Sequence, residues 1–153
     1  MKSFFKKYKG LILVLLVVCC FVALSFIGEG RETKANVESV FYSDVEKWAE
    51  DVVSNKNVVT VIALSYCSHC KEYKPVLEQI AVENNLTVYW FEADLIEEKD
   101  YQTITSTVDF NEYTGASPYT AISNSGNVLA QTVGYANEEA AYSFFIENGL
   151  INE

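Results

Sequence analysis

Only two prolines, one histidine and 11 basic residues are found in this chain of 153, set against 21 acidic ones. Each shortage removes a class of function. A closed structural zinc site needs four ligands, and a lone histidine with no second Cys-x-x-Cys does not supply them. So large a surplus of acid is unsuited to nucleic acid or to anionic lipid head groups. There is no internal repeat and no low-complexity segment. What is present, a chain 50% apolar, is enough for one domain with a real core plus an appendage.

The appendage comes first. Residues 1–10 carry Lys2, Lys6, Lys7 and Lys9, and the 17 residues Leu11 to Ile27 that follow hold no charge. That length is at the low end for a membrane span and slightly beyond a usual signal-peptide core. A lysine-rich flank keeps the N-terminus cytoplasmic, so the remainder is expected outside the cell membrane on a single-pass anchor. Ala23-Leu24-Ser25 is a poor cleavage site, which leaves secretion after cleavage as the alternative. Cys19 and Cys20 follow two valines rather than a lipoprotein-style sequence and read as apolar filler. Two cysteines, Cys67 and Cys70, therefore remain for chemistry. Residues 28–36 read as a linker and 37–153 as the domain. From residue 28 onward, seven basic residues stand against all 21 acids.

Within the domain, Val37 to Tyr42 is a brief strand, and Ser43-x-x-Glu46 is a capping box opening a helix with the stripe Val45, Trp48, Ala49, Val52, Val53. Val58 to Leu64 is an apolar, β-branched run of buried-strand character. A helix follows to about Asn84, with Val76, Leu77, Ile80 and Ala81 facing the core and Pro75 inside, where it kinks the axis. Leu86 to Phe91 is a second central strand, and Tyr101 to Phe110 carries a weaker helical pattern. Tyr119 to Ser123 and Val128 to Val133 flank a hairpin turn. Asn137 caps a last helix with Ala140, Ala141, Phe144, Phe145 and Leu150 on its apolar side. This order predicts an α/β domain with a mixed sheet and helices on both faces.

Cys67-Ser68-His69-Cys70 lies where the first long strand hands over to a helix. The backbone N–H groups at a helix start favour a thiolate, and that is a setting for thiol-disulfide chemistry. With this placement, Pro75, Ser117-Pro118 and Gly134 after Val133, the region from Val37 to Ile151 resembles the thioredoxin family. The resemblance implies a thioredoxin fold and a thiol-disulfide oxidoreductase with no cofactor and no metal. Cys67 would be the nucleophile and Cys70 the resolving thiol, the two forming the redox-active disulfide. His69 would tune the potential: as imidazolium it favours the Cys67 thiolate and makes the protein a better oxidant. Tyr66, Ser68, Ser117, Pro118 and Gly134 would form the substrate groove, with a cis bond before Pro118.

Departures from the family pattern bear on mechanism. The family's buried acid falls at Val61 and its partner lysine at Trp90, so neither charge is stranded, but the usual proton acceptor for Cys70 is gone. Water or a carboxylate such as Glu72 would have to substitute. Tyr66 stands where the family prefers tryptophan, and Tyr119 comes between Pro118 and Thr120. The partners implied are exported cysteine-containing polypeptides and a membrane redox partner, not nucleic acid. Two rivals remain: a structural disulfide without turnover, which a three-residue step makes weak, and an accessory protein holding an exported peptide. Membrane-anchored thioredoxin-like proteins described as bacteriocin transport accessory proteins resemble this chain in layout.

Overall fold

The computed structural model describes residues 41–152. The expected flank, anchor, linker and the start of the first strand lie outside them. Among the described residues no helix is long and apolar enough to cross a membrane.

Nine elements follow in order: β1 (Phe41–Tyr42), α1 (Val45–Val53), β2 (Val58–Ala63), α2 (Ser68–Asn84), β3 (Val88–Glu92), α3 (Glu98–Thr107), β4 (Tyr119–Asn124), β5 (Asn127–Val133) and α4 (Glu138–Glu147). The strands form one sheet in the order β1-β3-β2-β4-β5. β1 and β2 run parallel to β3, while β4 is antiparallel to both β2 and β5. The mixed sheet predicted from the element order is thus present.

Alternation along the strands builds two cores. Val59, Val61, Ala63, Val88 and Trp90 pack with Tyr73, Leu77, Ile80 and Ala81 of α2 and with Ala141 and Phe145 of α4. Val58, Ile62, Tyr89 and Phe91 point the other way, onto Val45, Trp48 and Val52 of α1 and Ile104 of α3. All six residues of β2 are buried, as a strand covered on both faces requires. The polar member, Thr60, accepts a hydrogen bond from the indole N–H of Trp48 at 2.9 Å, so its burial leaves no orphan.

Several boundaries differ from the sequence expectation, each for a local reason. Asp44, not Ser43, caps α1. Its carboxylate accepts from the Lys47 N–H at 2.9 Å, so the third helical position belongs to Lys47 and the Ser43–Glu46 box is not formed. Val53 is 55% exposed and leaves the apolar stripe. β3 begins two residues after Leu86, because Asn85 adopts the left-handed conformation and the Leu86 N–H closes α2 on the Ala81 carbonyl at 2.9 Å. α3 starts and ends three residues early. Its first turn holds Glu98 and Asp100, which suit the positive end of a helix, whereas Val108 and Phe110 are buried beyond its end. In α4, Asn137 caps as expected, accepting from the Ala140 N–H at 2.8 Å, but Ala140 is exposed and Leu150 follows the helix. The hairpin between β4 and β5 turns on Ser125 and Gly126, both at positive φ, the backbone that matches strand twist.

Candidate active site

β2 leads directly into the site. Its last residue is Ala63. The Leu64 carbonyl then accepts from the Cys67 N–H at 3.1 Å, which turns the chain into α2. Asp94, just after β3, holds this loop. One of its carboxylate oxygens accepts from the Ser65 N–H at 2.8 Å and the other from the Ser65 hydroxyl at 2.5 Å. These hydrogen bonds, the hydroxyl's first, keep the Asp94 carboxyl below the usual carboxylate range.

Cys67 is the N-cap of α2, and its sulfur accepts from the Cys70 N–H at 3.1 Å. A helix start leaves its first N–H groups without helical partners. Here one of them is aimed at sulfur, the arrangement that stabilises negative charge there. Cys67 and Cys70 are joined by a disulfide, with Cα atoms 5.3 Å apart. Their environments differ: Cys67 is half-buried, while Cys70 is 2% exposed. The outer cysteine is open to another sulfur and the inner one is not.

Opposite Cys67, the Ser117 carbonyl oxygen lies 3.5 Å from its sulfur, and the Ser117–Pro118 bond is cis. The Gly134 N–H donates to the Pro118 carbonyl at 2.7 Å. Gly134 has a φ of +85°, a conformation that a side chain would strain, although no atom would meet its Cβ. Cys67, Ser117, Pro118 and Gly134, which are far apart in sequence, are thus brought together. Tyr66, Ser68 and His69 are exposed around the sulfurs, Tyr66 by 72%.

Beneath the disulfide, Val61 and Trp90 are register partners on β2 and β3, both buried. The interior there carries no charge from either strand. Glu72 is exposed and sits two residues after Cys70, about 200° around the helix. Facing away from Cys70, it leaves water as the other proton acceptor that the sequence allowed. Two features escaped sequence reasoning. The Ser65–Asp94 tether left no signal, because nothing in the spacing joins residues 29 apart. Tyr73 continues the stripe Cys70, Tyr73, Leu77, Ile80, Ala81, whose spacing was there to be seen. It lies 3% exposed, stacked on Tyr135, and accepts from the Thr120 hydroxyl at 3.3 Å. Burial pushes its phenol up to about 12.

No protein-family model matches the chain, and no curated protein matches it. Solved structures do. The chain is similar to a mutant thioredoxin from Halobacterium salinarum NRC-1, with 16% identity, a TM-score of 0.55, and coverage of 74% of this chain and 92% of that one. It is also similar to thioredoxin from Malassezia sympodialis (17%, TM-score 0.54, 71% and 90%) and to mitochondrial thioredoxin 3 from Saccharomyces cerevisiae (16%, TM-score 0.50, 67% and 89%). At such identities the likeness is one of fold. The described domain has the thioredoxin fold, with a close cysteine pair at the start of α2. A cysteine pair so placed, one sulfur open and one buried at a helix start, is chemically suited to thiol-disulfide exchange.

Proposed function

We propose that this protein is a thiol-disulfide oxidoreductase acting on exported, cysteine-containing polypeptides. The observation that carries the reading is Cys67 itself: half-buried, capping α2, its sulfur accepting from the Cys70 N–H and facing the Ser117 carbonyl. The Cys67 thiolate attacks one sulfur of a client disulfide and the client S–S bond breaks. The other client sulfur leaves with the electron pair and takes up a proton, and the mixed disulfide forms. Cys70 then attacks Cys67, and the client sulfur leaves as a thiol. Tyr66, Ser68, Ser117, Pro118 and Gly134 surround the sulfurs as the walls of a groove for the client chain. His69, when protonated, favours the reduced form and supports oxidation or isomerisation of clients rather than general reduction. Export rests on the lysine-flanked apolar run Leu11 to Ile27, which would hold the domain at the outer face of a membrane, beside a membrane redox partner.

The test is turnover of a model protein disulfide by the wild type and by Cys67→Ser. Loss of at least a hundredfold in rate is expected, and wild-type turnover by the variant would overturn the reading. Trapping with Cys70→Ser in cells should capture clients as mixed disulfides. The rival in which the protein only holds a peptide for export or folding predicts undiminished client handling with both cysteines changed to serine.

A further inference from the structure

The thiol that must resolve the mixed disulfide is the buried one. Burial in apolar surroundings makes a thiol hold its proton more tightly, yet only the thiolate attacks. Cys70 shares its cluster with Val61, Tyr73 and Trp90, none of which carries charge. One turn further along α2, on the same face, stands Lys74. Its ammonium lies 5.0 Å from the centre of the Trp90 ring, 5.7 Å from that of Phe41 and 3.9 Å from a Glu92 carboxylate oxygen. A lysine on a flexible stem is usually unplaced. This one is set over an indole that also meets the Phe41 and Tyr73 rings, and Trp90 and Tyr73 share the buried cluster of Cys70.

We propose that Lys74, laid over Trp90 and steadied by Glu92, is a positioning residue that supplies the positive charge for the Cys70 thiolate. The inference rests on the redox reading of the cysteine pair above. In the mixed disulfide, with the Cys67–Cys70 bond open, the Cys70 thiol gives its proton to water. Its thiolate attacks the Cys67 sulfur, the Cys67–Cys70 bond forms, and the client sulfur leaves with the electron pair and takes up a proton. The client is reduced and the cysteine pair oxidised; the reverse sequence oxidises the client.

Few titratable groups face this spot. β1 offers Tyr42, which lines the same hollow as Lys74, β2 offers only Val61 and Ala63, β3 offers Glu92, and the Ser117-Pro118 segment offers none. The phenols of Tyr73 and Tyr135 close another side, and Tyr73, pushed up to about 12, stays neutral. On α2 itself, His69, Lys71 and Glu72 are exposed, and Glu78 lies one turn beyond Lys74.

The experiment titrates the Cys70 thiol by thiolate absorbance in the full chain carrying Cys19→Ala, Cys20→Ala and Cys67→Ser, so that Cys70 is the one thiol left, with and without Lys74→Met, Lys74→Arg and Glu92→Gln. Methionine keeps the apolar stem over the ring, and Lys74 is 44% exposed, so the fold is expected to survive, with thermal unfolding as the check. Lys74→Met should move the titration midpoint up by about one pH unit, arginine should restore it, and Glu92→Gln should lower it. With both cysteines present, Lys74→Met should slow release of the mixed disulfide about tenfold at neutral pH, the loss shrinking as pH rises. A midpoint unmoved by Lys74→Met, or not restored by arginine, overturns the inference. The redox reading fails separately, if the wild type turns over no disulfide.

Discussion

His69 is exposed between two cysteines of unequal exposure, so the tuning role proposed for it is electrostatic rather than a matter of packing. Its place in the first turn of α2 means that its N–H has no helical acceptor, and the Cys67 sulfur takes the Cys70 N–H instead. Proline at 69 is therefore compatible with the backbone. His69→Pro should leave folding nearly unchanged and make the disulfide harder to reduce, by about 30 mV for each unit by which the Cys67 thiol pKa rises. Titration against a glutathione buffer measures this, and an unchanged midpoint would remove the tuning role. The neighbouring Asp94 works differently. It grips Ser65 by both backbone and hydroxyl, fixing the loop from which Cys67 starts. This contact was invisible in the sequence because its two halves come from different strand ends and meet only once β2 and β3 pair in register, Ala63 opposite Glu92.

At the scale of elements, the sequence showed most of what was needed. Strong patterns were the most legible: β2 buries all six of its residues, and Leu77, Ile80 and Ala81 of the α2 stripe are buried, with Val76 partly so. One kind of misplaced boundary has a simple cause: apolar residues lying past an element's end, as Val108 and Phe110 do beyond α3, mimic its continuation. The cysteine pair at a strand-to-helix junction was readable because the junction is local. The charge supply of Cys70 was not, since Lys74 acquires its place only through Trp90 on another strand.

The joint between α1 and β3 is likewise tertiary. The Tyr89 hydroxyl donates to the Asp51 carboxylate at 2.6 Å, and Lys47 pairs with the same oxygen at 3.0 Å. Tyr89 first, then Lys47, holds the Asp51 carboxyl below its ordinary range. A carboxyl whose folded value is depressed stabilises the fold above its unfolded value, and that stability fades as pH falls through the folded one. Asp51→Asn should thus lower stability at neutral pH and flatten its decline from pH 5 downward, about where ordinary carboxyls begin to protonate. Urea unfolding at pH 7 and at pH 3 checks it. An acid limb as steep as in the wild type would assign the slope to other groups.

Over the whole described domain, charge is unevenly placed. Residues 41–152 hold 17 acids and five lysines. Two of those lysines, Lys71 and Lys74, lie with His69 in the first two turns of α2, against one acid there, Glu72, and the Glu92 partner of Lys74. The body is therefore strongly negative, and the sulfurs sit beside its small positive spot. Which field governs an approaching client depends on distance. At an ionic strength of about 0.1 M, charges are felt over about 10 Å, so the body dominates encounter and the spot acts only on contact. A cationic peptide disulfide should accordingly react faster at low salt than an anionic one of equal size, on the order of tenfold or more. Near 1 M salt, where the range falls to about 3 Å, the gap should close, because the contact chemistry at Cys67 is the same for both. Stopped-flow rates for the two peptides across a salt series decide it. If the anionic peptide is faster at low salt, the local charges of Lys71 and Lys74 outweigh the body, and Lys71→Glu should then reverse the order.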